Sequence, residues 1–196
     1  MEHTTIGEAK AQFETNFWGC VRTMQAVLPA MRAQRGGRIV LISSIGGVIS
    51  IPFQGFYSAS KFALEALAEA YRYELAPEGI DSVIVEPGAF PTAVFEKTDH
   101  AADPSRASTY GSGNEIPKKI LAAISSSRGD PQEVADCVVQ LVEMPAGNRP
   151  LRVRVGSHVE AFSRLNDYSE QLLTEFLDAI GVTPLMAFQE RRTPAD

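Results

Sequence analysis

Residues 38–88 decide the fold class of this chain, and they read RIVLISSIGGVISIPFQGFYSASKFALEALAEAYRYELAPEGIDSVIVEPG. Residues 38–43 are a short apolar run after a glycine pair, a pattern that favours a buried parallel strand. Residues 44–55 are rich in glycine and serine and predict a loop, and residues 56–76 predict a helix that ends before a proline and a glycine. Residues 80–86 are again apolar and predict a second strand. A strand, a helix and a strand in succession indicate a parallel α/β sheet.

The segment before the first strand predicts a long helix. Apolar side chains recur at intervals of three and four over residues 8–34, which is the spacing of an amphipathic helix. Pro29 is expected to kink this helix, and Gly36-Gly37 is expected to end it. The predicted apolar stripe consists of Phe13, Phe17, Val21, Met24, Leu28 and Met31.

The C-terminal part continues the alternation. Residues 130–143 predict a helix that starts with Asp130 as its N-cap and Glu133 at its third position. Residues 151–155 predict a third strand, and residues 159–180 predict a last amphipathic helix. Its expected core side consists of Phe162, Leu165, Leu173, Phe176 and Ile180. Residues 89–129 contain proline, serine, glycine and scattered charge, and we expect them to be irregular.

The composition excludes several kinds of partner. A length of 196 residues, with 44% hydrophobic and 21% charged residues, suits one globular domain. The net charge of −6 argues against nucleic acid, and the apolar runs are too short to span a bilayer. The N-terminus lacks a secretory signal, and the cysteines lie far apart, so we expect a cytoplasmic protein with reduced thiols. The three histidines are isolated, so we expect no metal site.

Tyr57 and Lys61 are the first candidates for catalysis. Their spacing of four places both side chains on one face of the predicted helix. A phenol has a pKa near 10 in water, and a neighbouring ammonium lowers that pKa, so Tyr57 is a candidate general acid/base. The other four tyrosines have no lysine four residues later. Considered alone, the pair is also explained by two surface residues that share a helix face.

Further residues accompany this pair in a fixed order. Ser43-Ser44-Ile45-Gly46-Gly47 follows the first strand, Pro87-Gly88 and Thr92 follow the second, and Asn16 begins an Asn-x-x-Gly sequence in the first helix. Over about residues 8–156, the set resembles the short-chain dehydrogenase/reductase family. The resemblance implies a partial Rossmann-like, doubly wound parallel sheet of about three strands with flanking helices. We expect a single domain over residues 1–188 and a loose tail over residues 189–196.

The resemblance also implies a role for each residue in the set. Tyr57 would exchange a proton with the substrate oxygen, and Lys61 would lower its pKa and bind the nicotinamide ribose. Ser44 would bond the substrate carbonyl or hydroxyl, and Asn16 would hold a water behind Lys61. Tyr57 and Lys61 would also contact the cofactor, together with a loop formed by Pro87, Gly88, Phe90 and Thr92.

Each accessory residue has a simpler interpretation when it is considered alone. Ser44 is a plausible cap for the loop that follows the strand, because serine often has that role. Asn16 in mid-helix is a poor helix former and suits a buried structural hydrogen bond. Thr92 is consistent with a turn. The order and spacing of the whole set favour the functional interpretation.

One motif of the family is missing from the sequence. No strand is followed by the glycine-rich turn that would receive a pyrophosphate at a helix N-terminus, and no residue that selects NAD or NADP can be identified. The chain is therefore expected to lack the N-terminal dinucleotide-binding half. A truncated or mis-started dehydrogenase and a genuine short chain with another role both remain open.

The resemblance predicts an oxidoreductase that interconverts an alcohol and a ketone or aldehyde with NAD or NADP. The substrate is expected to be a small alcohol or carbonyl compound, with lipophilic ones among the candidates, and the protein is expected to form homo-oligomers. The alternative is a catalytically silent fragment that acts as an interaction or dimerisation module. Cofactor binding distinguishes the two.

Overall fold

A three-stranded parallel sheet lies at the centre of the computed structural model, which describes residues 4–93, 111, 113, 115–157 and 159–189. The strands are β1 (Gly37–Ile42), β2 (Ile80–Pro87) and β3 (Arg152–Val155), in the order β1-β2-β3. Both pairs are parallel, with Ile42 opposite Val85 in the first and Glu86 opposite Arg154 in the second. The three predicted strands and the parallel α/β class are confirmed.

Six α-helices accompany these strands within the described residues. They are α1 (Ile6–Phe13), α2 (Gly19–Gln34), α3 (Gly55–Leu75), α4 (Glu115–Ser125), α5 (Gln132–Glu143) and α6 (Glu160–Ala179). A π-helical segment, Glu14–Trp18, joins α1 to α2, and 3-10 turns lie at Ile45–Gly47, Ala76–Glu78 and Thr183–Met186. The predicted helices over residues 56–76, 130–143 and 159–180 are therefore confirmed.

The two faces of the sheet have separate cores. Met24 of α2 and Leu64 of α3 pack with Ile39 and Ile84 on one face. On the other face, α5 packs against side chains of β2 and β3 that include Val83. β2 is buried along almost its whole length. β1 is an edge strand within the described sheet, and its Ile42 side chain is 42% exposed.

The first helix differs from the prediction of one kinked element over residues 8–34. It is interrupted at the π-helical segment, whereas α2 continues through Pro29. Its end also differs, because Arg35 adopts the left-handed conformation that was expected at the glycine pair. Gly37 instead begins β1, where a Cβ atom would lie 2.6 Å from the Met31 sulfur.

The prediction that residues 89–129 are irregular is wrong for α4. Ile116, Ile120, Leu121 and Ile124 recur at helical spacing there, and Pro117 lies in the first turn, where proline is tolerated. No residue of α4 is buried. Residues 94–110, 112 and 114 of the same segment lie outside the described residues.

The predicted core side of α6 is wrong for three of its five residues. Leu165, Phe176 and Ile180 are exposed to 57%, 58% and 54%, whereas Phe162 and Leu173 are half-buried. The inward face of the helix also includes polar side chains, because Asn166 is buried and Glu170 pairs with Arg152. The amphipathic pattern located the helix correctly but not the side that contacts the sheet.

The remaining boundaries follow from local contacts. The amide of Gln132 donates to the Asp130 carboxylate, and the amide of Asp130 donates to the Glu133 carboxylate, so the predicted reciprocal cap is present. Gly79 adopts a φ of 73°, and a Cβ there would lie 2.8 Å from the Gln189 carbonyl oxygen. The amide of Gln189, the first residue of the predicted tail, donates to the Ala76 carbonyl. The rest of that tail is outside the described residues.

Candidate active site

Two chain segments meet at the carboxyl edge of the sheet. β1 ends at Ile42 and the parallel strand β2 ends at Pro87, so the residues after both strands emerge on the same side. The amide of Ser43 donates to the Val85 carbonyl at 2.8 Å, which fixes the exit of the first segment. Ligands of open parallel sheets bind at this kind of edge. The candidate residues from both segments are therefore placed where a ligand site is expected.

Ser44 caps the turn after β1 and also lies beside Tyr57, so its structural and functional interpretations are compatible. Its backbone is extended, and its hydroxyl oxygen accepts a hydrogen bond from the Gly46 amide at 3.0 Å, which caps the 3-10 turn. The Ser44 side chain also interacts with Tyr57. The cap uses only the hydroxyl oxygen, so the hydroxyl proton can be donated to the phenol oxygen of Tyr57 or, in its place, to a ligand oxygen.

Gly46 is required by the close approach of the Tyr57 ring. A Cβ atom on Gly46 would lie 2.9 Å from the Tyr57 Cε1 atom and 3.3 Å from the Ile51 side chain. The absent side chain lets the first turn of α3 pack directly on the loop after β1. This packing holds the phenol beside Ser44.

Lys61 lies one helical turn after Tyr57, as its spacing predicts. Its ammonium group donates to the Ile42 carbonyl oxygen at 2.9 Å, so it is anchored to the end of β1. The same group is 5.9 Å from the centroid of the Tyr57 ring. The lysine therefore connects α3 to the sheet edge and remains within electrostatic reach of the phenol.

The ionisation of this pair differs from the expectation. Burial raises the pKa of Tyr57, and its hydrogen bond with Ser44 lowers that pKa to a smaller extent. Burial also lowers the pKa of Lys61, against opposing contributions from the Cys20 thiol and the Glu65 carboxylate. The net shift of the tyrosine pKa is therefore upward, opposite to the expected depression, because loss of solvent dominates. Tyr57 is a protonated phenol at neutral pH.

Asn16 is connected to the first turn of α3 through Ser60. It lies in the π-helical segment, a feature that is often found at functional sites. Its side-chain amide donates to the Ser60 hydroxyl at 3.1 Å, and that hydroxyl donates to the Tyr57 carbonyl at 2.7 Å. The Asn16 carbonyl accepts a hydrogen bond from the Cys20 thiol. Asn16 therefore supports the backbone of Tyr57.

The segment after β2 approaches the end of β3. The Gly88 amide donates to the Val155 carbonyl at 2.8 Å, and a Cβ atom on Gly88 would collide with the Ser157 carbonyl oxygen. The Phe90 side chain is buried in the core beneath α5, whereas Thr92 is exposed. Pro87, Gly88 and Thr92 thus lie at the sheet edge, and Phe90 can offer a ligand only its backbone.

A buried ionic network lies beside these residues and was missed in the sequence. Arg152 contacts four carboxylates, those of Glu65, Glu69, Glu86 and Glu170. Glu86 is fully buried, and the Asn166 amide donates to both of its carboxylate oxygens at 2.8 Å. The available signals were the arginines that alternate in residues 151–155 and the glutamate that follows the apolar run of residues 83–85 near the end of β2.

The described ranges lack both a metal site and a membrane-spanning helix. Those residues contain no group of histidine, cysteine and carboxylate side chains arranged to hold a metal ion. They also contain no helix that is both long and apolar enough to cross a membrane. Cys20 and Cys137 are both free thiols.

Comparison with known proteins gives a consistent result. The family model described as short chain dehydrogenase matches residues 1–103. A 3-ketodihydrosphingosine reductase from Bacteroides thetaiotaomicron is 37% identical over 160 residues, which are 82% of this chain and 59% of the relative. The chain belongs to the short-chain dehydrogenase family. The resemblance inferred from Ser44, Tyr57 and Lys61 is thereby confirmed.

Solved structures of other short-chain dehydrogenases share the fold. One from Streptomyces avermitilis is 33% identical, with a TM-score of 0.65 over 93% of this chain and 65% of that protein. Another, from Burkholderia phymatum, is 21% identical, with a TM-score of 0.67 over 88% of this chain and 62% of that protein. The sheet is therefore Rossmann-like. The chain spans about three-fifths of the length of these proteins.

Proposed function

We propose that this chain supplies the catalytic part of an oxidoreductase that interconverts a ketone or aldehyde and an alcohol with NAD or NADP. The observation that carries the proposal is the placement of a protonated Tyr57 beside Ser44, with Lys61 anchored one helical turn behind. Reduction of a carbonyl requires a proton for the developing alkoxide. A half-buried, protonated phenol beside a hydroxyl donor meets this requirement.

The residues at the sheet edge fit the nicotinamide end of the proposed cofactor. Lys61 offers an ammonium at the sheet edge for a ribose hydroxyl, and Pro87, Gly88 and Thr92 line the neighbouring segment. The Burkholderia phymatum structure is a complex with NAD, which supports a nicotinamide dinucleotide. When bound, the cofactor supplies hydride transfer to or from the carbon of the substrate. The glycine-rich turn for its pyrophosphate is absent from this sequence.

The chain's own residues would then act on the substrate oxygen. Ser44 donates a hydrogen bond to that oxygen and orients the carbonyl. Tyr57 donates its proton to the same oxygen as negative charge develops there. Lys61 keeps its positive charge near the phenolate that remains. Asn16, through Ser60, fixes the backbone of the proton donor.

A lipophilic substrate is the second part of the proposal. The Bacteroides relative is named as a reductase of 3-ketodihydrosphingosine. In this chain, Phe53 lies four residues before Tyr57, in a left-handed conformation with a φ of 65°, and is 37% exposed. A bulky residue in that conformation is a strained feature of the kind found near ligand sites. An apolar side chain held at the edge of the site suits an apolar substrate.

Self-association is the third part. Ala59, Ala66 and Ala70 are exposed along α3, where small side chains let a second helix approach closely. A cavity of about 500 Å³ lies nearby, and its lining includes Ile6, Phe13, Trp18 and Phe56. Ile6 and Trp18 are exposed to 68% and 49%. We propose that this face binds a second copy of the protein. A cytoplasmic location is a separate proposal.

A catalytically silent interaction module remains the second candidate, because β1 is an edge strand within the described sheet and its Ile42 is exposed. Fluorescence titration with NADH and NADPH separates the two candidates, provided that it is done on a protein that joins this chain to the glycine-rich N-terminal segment of a relative. The enzyme proposal predicts saturable binding that weakens in Lys61→Ala, which removes the ribose partner. Binding that is absent, or that Lys61→Ala leaves unchanged, favours the silent module.

A further inference from the structure

Glu65 occupies an unusual position behind the proposed catalytic pair. It follows Lys61 by four residues on α3, so the two side chains share a helix face, and it is only 6% exposed. A Cβ atom on Gly47 would lie 3.0 Å from Glu65 Cγ, 3.2 Å from the Lys61 carbonyl carbon and 2.7 Å from the Ser43 hydroxyl. The Glu65 carboxylate is therefore packed beneath the loop that carries Ser44.

The two carboxylate oxygens of Glu65 are unequally satisfied. Oε2 accepts a hydrogen bond from the Arg152 guanidinium at 3.2 Å. Oε1 is buried and makes no well-formed hydrogen bond among the described residues, although the Ser43 hydroxyl lies close enough to interact with the carboxylate. Burial raises the pKa of Glu65, against the smaller opposing effects of Ser43 and Arg152. A buried carboxylate is costly unless cations compensate for it, and Lys61, four residues earlier on the same helix, adds its charge to that of the shared Arg152.

The charges around Glu65 come from every element packed against it. Lys61 and Glu69 lie on α3, Glu86 on β2, Arg152 and Arg154 on β3, and Glu170 on α6. The four carboxylates of this cluster outnumber its two guanidinium groups, so the cluster carries net negative charge behind Lys61. That charge opposes the effect of burial on the ammonium, and Glu65 raises the pKa of Lys61 accordingly.

We propose that Glu65 is a positioning residue for the Tyr57–Lys61 pair: its buried carboxylate keeps Lys61 charged and links it to the Arg152–Glu86 ion pair. The inference rests on the proposed role of Lys61 and deepens it. Glu65 does not touch the substrate. It acts through the charge of Lys61, which in turn stabilises the phenolate left after proton transfer.

The test is a titration of lysine side chains by NMR in the purified chain, without cofactor or turnover. The sequence contains five lysines, and loss of one ¹³Cε signal in Lys61→Arg assigns the signal of interest. Glu65→Gln should lower the midpoint of the Lys61 titration by at least about half a pH unit, because a neighbouring negative charge is lost. Glu170→Gln, which also removes a partner of Arg152 but lies on α6, should move it much less.

An unchanged midpoint in folded Glu65→Gln, or an equal change in Glu170→Gln, would overturn the inference. If Glu65→Gln does not fold, the titration of the Lys61 signal in the parent protein still tests the inference. Glu86 has its pKa raised to about 7 by burial, so the Lys61 signal should show a second inflection near that pH. Absence of the inflection overturns the link to Glu86. Neither result depends on enzymatic activity, so the proposed function is tested separately.

Discussion

Glu86 should make the stability of this protein fall as the pH rises from about 4.5 to 7. Burial, followed by the charge of Glu65, raises its pKa from 4.5 to about 7, against the smaller opposing effects of Asn166, Arg152 and Arg154. Within this window the folded protein holds a proton on Glu86, whereas the unfolded chain has released it. Rising pH therefore favours unfolding, and the effect is complete above pH 7.

The magnitude follows from the difference between the two pKa values. One unit of pKa corresponds to about 1.4 kcal/mol, so the contribution of Glu86 to the free energy of unfolding falls by about 3 kcal/mol across the window. Glu86→Gln removes the titration. The assay is urea denaturation at several pH values between 4 and 8, followed by circular dichroism. The free energy of the parent minus that of Glu86→Gln should decrease by the stated amount.

Glu143→Gln is the matched control for the effect of Glu86 on stability. Glu143, at the end of α5, is exposed, so Glu143→Gln should leave the pH profile of the parent unchanged. If the difference between the parent and Glu86→Gln stays constant within about 0.5 kcal/mol, or increases with pH, burial does not control this carboxylate.

Three other outcomes are expected. Arg149→Ala should lower the free energy of unfolding by about 3 kcal/mol in urea denaturation, because Asp81 stays buried without this partner; a loss below about 1 kcal/mol contradicts the buried ion pair. Carbonyl reduction by a protein that carries both halves of the cofactor site should show no loss of activity from Tyr57 up to about pH 10, the ordinary pKa of a phenol, because burial raises the pKa of Tyr57 above that value. A decline centred near pH 7 argues against Tyr57 as the donor. Ile42→Lys should reduce self-association of the chain in light scattering, because it places a charge on an exposed edge strand. Val139→Lys, at an exposed position on α5, is the control, and an equal effect of the two substitutions refutes pairing through the edge.

The features that could be predicted from the sequence are those that depend on local pattern. The apolar runs over residues 38–43 and 80–86 became β1 and β2, because a strand buried on both faces has few polar residues. The meeting of the segment after β1 with the segment after β2 followed from parallel topology, which brings the ends of neighbouring strands to one edge. The reciprocal cap at Asp130 was readable because all its partners lie within three residues.

The features that were missed depend on partners far apart in sequence. The inner face of α6 is set by Glu86, 80 residues from Asn166, and by Arg152, so its apolar stripe did not indicate the contact side. The buried pair of Asp81 and Arg149 joins residues 68 positions apart. The pKa of Tyr57 was expected to fall because a neighbouring cation is visible in the sequence, whereas burial, which raises it, is not.

The most direct test of the central claim is proton donation by Tyr57 in a protein that carries both halves of the cofactor site. Joining this chain to the glycine-rich N-terminal segment of a relative provides such a protein. The measurement is the rate of NADH or NADPH oxidation with a panel of apolar ketones, for the parent and for Tyr57→Phe. The account predicts turnover by the parent and a loss of about a hundredfold or more in Tyr57→Phe, with the fold unchanged by circular dichroism. A folded Tyr57→Phe protein that turns over within about tenfold of the parent contradicts the account.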